Sequence, residues 1–211
     1  MSLVSSAIPG ARRGRDRLGW IAIVALASLV GLASSRYLTG GAAMIPPPLK
    51  LNFTGHPAAF YVHIAAASTA LLIGPWQFLE GLRRKHSAVH RMMGAVYVTA
   101  CLVGGVAAVP IALGSSGGPV GAAGFLTLAL LWLWTTGRAV MAIASGDIAG
   151  HRRWMVRSFA LTLAGVTLRL YLPVALFGPF GFHDAYAAIA WLCWAPNLLL
   201  AAYLTRKRRN A

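Results

Sequence analysis

Residues 92–113 read MMGAVYVTACLVGGVAAVPIAL, a stretch without a single charged side chain. At a rise of about 1.5 Å per residue, an α-helix of about 20 such residues crosses the hydrocarbon core of a bilayer. A helix on the surface of a soluble protein would instead carry polar residues on the face turned to water. This stretch therefore predicts a membrane-spanning helix.

Five further apolar segments accompany it along the 211 residues. We predict an all-α integral membrane protein, a bundle of six helices at residues 18–37, 57–79, 91–113, 119–143, 154–177 and 185–205. Residues 18–205 then form one transmembrane domain between basic cytoplasmic tails at residues 1–17 and 206–211. Only 11% of the residues are charged, against about a quarter in a soluble domain. This composition excludes a water-soluble enzyme, a disordered chain and a secreted disulfide scaffold.

Positive charges occupy every second gap between these segments. The chain has 19 lysines and arginines against 4 aspartates and glutamates. Most of the basic residues lie before the first segment, after the second, around the end of the fourth and after the sixth. The positive-inside rule then predicts a multi-pass membrane protein with both termini in the cytoplasm. Membrane lipids are the expected partner, nucleic acid is not, and the sequence sets no oligomeric state.

The first segment allows two interpretations. A basic head, an apolar run and Ala33-Ser34-Ser35 also form the pattern of a cleaved signal peptide. The run is long for a signal peptide, and an even number of spans agrees with a cytoplasmic amino terminus. We therefore favour a retained helix.

A weak internal repeat relates residue n to residue n + 61. His90-Arg91 falls on His151-Arg152, and Gln77 falls on Arg138. Two helical hairpins of the same orientation are related by an axis along the membrane normal. We therefore predict a core four-helix bundle made from spans two to five, with spans one and six outside it.

His90 and His151 are the candidate metal ligands. Ser87 and Asp147 precede them by three and four residues and are typical helix caps, which places each imidazole in the first turn of its helix. The positive end of the helix dipole disfavours imidazolium there and leaves a neutral nitrogen for a metal. Asp147 is expected to accept the second N–H of His151 and fix its ring. Alternatively, both histidines are interfacial residues that touch lipid phosphate.

Two polar residues are predicted in the outer half of the bundle. His63 lies above a strip of small residues on span two, and is either bonded to a neighbouring helix or an axial ligand. Arg169 lies well inside span five, where a charge normally faces a partner or a cavity. Its counter-ion is either Asp184, the one carboxylate on that side, or a carboxylate from outside the chain, on a bound cofactor or lipid.

Several segments together resemble a bacterial family of predicted membrane proteins, the domain of unknown function 2306. The resemblance covers roughly residues 55–175. It implies a protein of the bacterial inner (cytoplasmic) membrane and no established activity. It is carried by His63, Gly74-Pro75-Trp76-Gln77-Phe78, Arg83, His86, His90-Arg91-Met92-Met93-Gly94, Tyr97, His151-Arg152-Arg153-Trp154-Met155 and Arg169.

The chain is also similar, more loosely, to the cytochrome b561 proteins, which have six helices and bind two b-type haems between spans two to five. Carried over, this resemblance implies an inner bis-histidine haem site at His90 and His151. It also implies that His63 is half of an outer site. The repeat places Gly124 of span four opposite His63, where that family needs a histidine. Three alternatives follow for the outer haem. His183 is its second axial ligand, or the haem has a single protein ligand, or no outer haem is bound.

The first functional hypothesis is a haem b protein that transfers electrons in the membrane, with a redox partner or a quinone. In this hypothesis His90 and His151 are the axial ligands and Asp147 orients one of them. Arg169 faces an anion such as a haem propionate.

Two other hypotheses involve no redox centre. One is a transporter or small-ligand binding bundle that uses His63, Gln77 and Arg169 as a polar pocket. The other is an accessory structural subunit, in which the His-Arg pairs only anchor helix ends. The sequence contains neither a Walker loop nor a dinucleotide fingerprint. These two absences do not decide whether the protein is an enzyme.

Overall fold

A computed structural model describes residues 9–207, with side chains at 17–41, 43–50 and 53–206. The predicted basic tails therefore lie partly outside the described residues, at 1–8 and 208–211. Within the described range the chain is helical and has no β-strand. Its α-helices are α1 (Pro9–Gly40), α2 (Lys50–Thr54), α3 (Pro57–Ile73), α4 (Glu80–Lys85), α5 (Ser87–Leu113), α6 (Gly118–Ala144), α7 (Ile148–Thr162), α8 (Ala164–Phe177), α9 (Phe182–Leu192) and α10 (Ala195–Lys207).

Six stretches of the described chain are helical, long and apolar enough to cross a membrane. Spans one to six are Arg17–Gly40, Pro57–Phe78, Ser87–Leu113, Gly118–Ala144, Ile148–Phe177 and Phe182–Arg206. The predicted all-α, six-span fold is therefore confirmed. We call the end of the bundle that holds His63 and Arg169 the outer end, after the predicted orientation, and the end that holds His90 and His151 the inner end.

The starts of spans three and five differ most from their predicted positions. Span five begins at Ile148 because the Asp147 carboxylate caps the helix and accepts a hydrogen bond from the backbone N–H of Gly150. Span three begins at Ser87 and not after it. The residue in its cap position is His86, whose side chain makes no capping bond, so the prediction of Ser87 as a cap was wrong.

Spans five and six are each interrupted near their middle. Span five turns at Leu163, between α7 and α8, and span six turns at Cys193 and Trp194, between α9 and α10. Pro196 accounts for the second turn, because proline has no N–H to donate and disfavours a helical conformation of the preceding residue. Irregular backbone in a membrane protein is tolerated where it is buried in protein or lines a cavity.

The spans pack on one another in chain order. Span two packs on span three, span three on span four, and span four on α7 of span five. Span one packs on span two, while span six packs on span four through α9 and on span five through α10. Spans two to five share one buried core. Span six, which was predicted to lie outside the core bundle, contributes Ile189, Cys193 and Trp194 to that core, contrary to the prediction.

Five buried side chains form a central polar network that joins spans three, four and five; they are Tyr97, Trp132, Thr136, Ser158 and Thr162. The Tyr97 hydroxyl lies 2.9 Å from Thr162 Oγ1 and 3.3 Å from Ser158 Oγ. The indole N–H of Trp132 donates to Thr162 Oγ1 at 3.0 Å, and Thr136 Oγ1 lies 2.8 Å from Ser158 Oγ. The network therefore joins spans three, four and five by side-chain hydrogen bonds in the middle of the bundle.

Candidate functional site

A cavity of about 240 Å³ lies in the outer half of the bundle. All six spans and the connector between spans one and two contribute to its wall, which is mostly apolar. Among the described residues that line it, Arg169 carries the only permanent charge. The other lining residues with polar side-chain atoms are Ser34, Tyr37, His63, Ser68, Trp132, Thr162, Tyr186 and Cys193.

The Arg169 guanidinium is held in the cavity by its own helix. Its Nη1 donates to the carbonyl oxygen of Gly165, one turn earlier, at 3.0 Å. The hydroxyls of Tyr37 and Tyr186 and a second cation, Arg36, lie within its electrostatic range. No carboxylate in the described part of the chain forms an ion pair with Arg169. The predicted inward orientation of Arg169 is confirmed, and it faces the cavity.

Asp184 does not supply the counter-ion that the sequence analysis considered for Arg169. Its side chain is 89% exposed, and Oδ1 lies 3.0 Å from Nδ1 of the neighbouring His183. Asp184 lies in the first turn of α9 and does not line the cavity, so its carboxylate remains in contact with solvent. Arg169 is partly buried. Because a cation in a mostly apolar cavity without a counter-charge is unfavourable, the second alternative, an anion from outside the chain, is favoured.

His63 borders the same cavity and is bonded to a neighbouring span. Its Nδ1 lies 2.9 Å from the carbonyl oxygen of Gly104 in span three. Because a carbonyl oxygen only accepts, Nδ1 carries the proton, and Nε2 of the neutral ring keeps its lone pair. This contact agrees with the interpretation of His63 as a residue that bonds a neighbouring helix. The ring can also offer Nε2 as a hydrogen-bond acceptor.

Gln77 does not join His63 and Arg169 in the cavity, contrary to the pocket considered from sequence. It lies beyond the end of α3, and its buried side chain packs against Gly94 of span three, where a Cβ would lie 3.4 Å from Gln77 Oε1. Gly94 is one turn after His90, so Gln77 belongs to the inner end. Its buried Nε2 has no hydrogen-bond partner.

The two candidate metal ligands, His90 and His151, lie in the first turns of α5 and α7, as predicted. His151 Nδ1 lies 2.9 Å from the carbonyl oxygen of Ala139 and therefore donates to span four. The prediction that His151 donates to Asp147 was therefore wrong. The Asp147 carboxylate caps α7 instead, and its Oδ2 lies 3.8 Å from Arg153 Nη2. His90 Nδ1 is buried and has no partner.

The faces that continue beyond these two histidines do not fit a haem ring. Tyr97, two turns after His90, is 1% exposed and is bonded directly to Ser158 and Thr162 on the face beyond His151. Spans three and five are thus in side-chain contact where a ring would have to lie between them. In the described chain no group of three or more His, Cys, Asp or Glu side chains is placed to hold a metal ion, but a bis-histidine haem site needs only two such ligands.

An outer haem beside His63 would have no second histidine ligand on span four. Gly124 of span four is buried against span six, and a Cβ there would lie 3.0 Å from the backbone carbonyl carbon of Ala190. A larger side chain would separate these two helices, which explains why a small residue occupies this position. His183 packs over Gly118 and is not part of the cavity wall.

Tyr37 and Tyr186 are candidate site residues that the sequence analysis did not identify. They lie near the outer ends of spans one and six, far from Arg169 along the chain. Tyrosine is common at membrane interfaces in general, so the sequence contains no signal that would have distinguished these two.

One comparison with known proteins returns a match. A family model described as "Predicted membrane protein (DUF2306)" matches residues 60–205. No curated protein and no solved structure matches the chain, and none of these comparisons links it to the cytochrome b561 proteins. The matched region contains His63, Arg169 and Tyr186, whereas Tyr37 and the rest of span one precede it.

Proposed function

The chain belongs to the DUF2306 family of predicted membrane proteins, and we propose that this multi-pass member binds a small amphiphilic anion in its outer cavity. The observation that carries the proposal is Arg169, a cation in a mostly apolar cavity without a carboxylate partner in the described residues. This is the non-redox ligand-binding alternative of the sequence analysis, with a more specific ligand.

The charge of the cavity favours a ligand with a carboxylate or a similar anionic group. A guanidinium presents a planar set of N–H donors that binds a carboxylate in a bidentate manner. The hydroxyls of Tyr37 and Tyr186 offer further donors near Arg169. Arg36 is exposed and bonded to the Tyr37 hydroxyl at 3.1 Å, and this second positive charge attracts an anion towards the site.

The size and the wall of the cavity favour a short apolar body. Its volume is about 240 Å³, somewhat below the range of about 300–1,000 Å³ that is usual for pockets of drug-sized ligands. Aromatic and aliphatic side chains such as Phe60, Phe125 and Leu168 line it. A single short alkyl chain with one anionic group meets both requirements, whereas a dissolved inorganic anion leaves the apolar wall unused.

The short interruptions of spans five and six border the cavity. Thr162 and Ala164 flank the turn in span five and line the cavity, and Cys193 lies at the turn in span six and lines it too. Transporters often bind their substrates at helices with unwound backbone, whereas Leu163 and Cys193 keep helical dihedral angles and the two spans are kinked. Thr162 and Trp132 also belong to the central polar network, which separates the cavity from the inner end.

A panel of alkyl compounds of one chain length tests the ligand class. We expect octanoate to raise the thermal-unfolding midpoint of the purified full-length protein, because a ligand at about 100 times its Kd stabilises the folded state by about 2.7 kcal/mol. Octanol lacks the charge and octyltrimethylammonium reverses it, so smaller shifts are expected for both. Acetate is the control for a dissolved anion and should produce no shift.

One result would contradict this proposal, and another would support a haem at the inner end of the bundle. Equal shifts with octanol and octanoate would show that the charge of the ligand does not matter. A Soret band in the purified protein that is lost in both His90→Ala and His151→Ala would instead support the haem hypothesis.

A further inference from the structure

A second polar site lies at the inner end, where two arginines flank one indole ring. The Arg138 guanidinium carbon is 5.5 Å from the centroid of the Trp154 ring, and that of Arg157 is 4.6 Å from it. The Trp134 ring packs edge-on against Trp154 at 4.9 Å. These contacts hold the arginines of spans four and five in fixed positions.

The charge around this ring is not balanced by the chain. Arg153 and Arg206 lie within electrostatic range of Arg157. Asp147, at 3.8 Å from Arg153, is the carboxylate that pairs with this group among the described residues. Arg157 Nε is buried and has no hydrogen-bond partner. Several guanidiniums with one carboxylate repel one another, so an additional anion stabilises the arrangement.

We propose that Arg138, Trp154 and Arg157 form a binding site for the phosphate group of an anionic phospholipid. Arg138 lies near the end of span four and Trp154 near the start of span five, both towards the inner end of the bundle, and aromatic and basic residues of membrane proteins concentrate at the level of the lipid headgroups. Phosphate groups of lipids are abundant at that level. Arginine binds phosphate through paired N–H donors, and the membrane surface supplies the anion without a soluble ligand.

The test compares lipids that differ in charge. Phosphatidylglycerol is added to the purified full-length protein in detergent, and its apparent affinity is taken from the rise of the thermal-unfolding midpoint. In the double variant Arg138→Gln/Arg157→Gln we expect phosphatidylglycerol to bind about 5- to 30-fold more weakly than in the wild type. Trp154→Leu keeps every charge and removes the ring, and we expect it to weaken phosphatidylglycerol binding too.

Arg84→Gln is the matched control, since Arg84 is an exposed arginine near the inner end that is paired with Glu80 at 3.2 Å. This variant should bind phosphatidylglycerol like the wild type. Phosphatidylcholine should raise the thermal-unfolding midpoint of the wild type and of each variant by less than phosphatidylglycerol raises that of the wild type. The proposal is overturned if the double variant binds phosphatidylglycerol like the wild type, or if Arg84→Gln weakens binding equally. It is also overturned if inorganic phosphate at the same concentration produces the same shift, since the anion is then not a lipid.

Discussion

Arg169→Met is expected to abolish binding of a short alkyl carboxylate and, at the same time, to stabilise the ligand-free protein. Removing one partner of a buried charge pair costs about 2–5 kcal/mol of binding free energy, which corresponds to a loss of affinity of at least about 30-fold. In the ligand-free protein the guanidinium is bonded to the Gly165 carbonyl and has no ion-pair partner in the described residues. Arg169 is partly buried, and an apolar side chain of similar size removes the cost of keeping its charge away from water.

Opposite signs of the two effects identify Arg169 as a binding residue. Octanoate titrations measure the affinity, and chemical unfolding without ligand measures the stability. Arg169→Lys keeps the charge and loses the planar donor set, so an intermediate affinity is expected. Lys50→Met is the control for removal of a cation, because Lys50 is exposed and lies before α3 on the same side. If Arg169→Met instead destabilises the protein and leaves the octanoate affinity unchanged, Arg169 has a structural role.

Thr162→Val is expected to destabilise the fold more than Tyr97→Phe, by about 2–4 kcal/mol against about 1 kcal/mol. The Thr162 hydroxyl accepts from the Trp132 indole and is bonded to the Tyr97 hydroxyl. Its loss leaves the buried Trp132 indole N–H without its acceptor, and leaves the Tyr97 hydroxyl only the longer contact of 3.3 Å to Ser158 Oγ. In Tyr97→Phe, by contrast, Thr162 keeps its bonds to Trp132 and to the Ser158 carbonyl oxygen. Reversible unfolding in mixed micelles measures both free energies.

Thr127→Val is the matched control for this comparison, since the Thr127 hydroxyl is bonded to Ala123 in its own helix. We expect a change close to zero. Equal destabilisation by Thr162→Val and Tyr97→Phe would show that the central polar network does not depend on Thr162 as its shared acceptor.

The positions of the spans could be predicted because hydropathy reports directly on transfer between water and lipid. The inward orientation of Arg169 was predictable for the same reason, because a charge in that position cannot face hydrocarbon. The partners of polar side chains were not predictable. Asp184 and Arg169 share the outer end, but the direction of each side chain depends on how its helix is rotated, which apolar composition alone does not fix.

Competition between two local roles explains the outcome at Asp147. The sequence offers this carboxylate both as a helix cap and as an acceptor for His151. The cap is formed because the first N–H groups of a helix have no partner within the helix, and Asp147 reaches the N–H of Gly150. His151 then bonds the carbonyl of Ala139, a contact between helices that the sequence does not indicate.

The internal repeat pairs residues on faces of spans three and five that are in contact in the structure. Tyr97 and Ser158 are 61 residues apart and lie within hydrogen-bond distance, which is the spacing that relates His90 to His151. The repeat did not predict whether these faces are separated by a gap. That depends on the size of the side chains between them, and the Tyr97 ring fills the space.

Photo-crosslinking tests the central claim, an anionic amphiphile in the outer cavity, most directly. An alkyl carboxylate with a diazirine near the end of its chain is irradiated with the full-length protein, and the modified residues are mapped by mass spectrometry. We predict adducts on cavity residues such as Phe60, Phe125 and Leu168, competition by octanoate, and loss of these adducts in Arg169→Met. Adducts restricted to lipid-facing residues such as Leu130 and Leu199, at equal yield in Arg169→Met, would contradict the proposal.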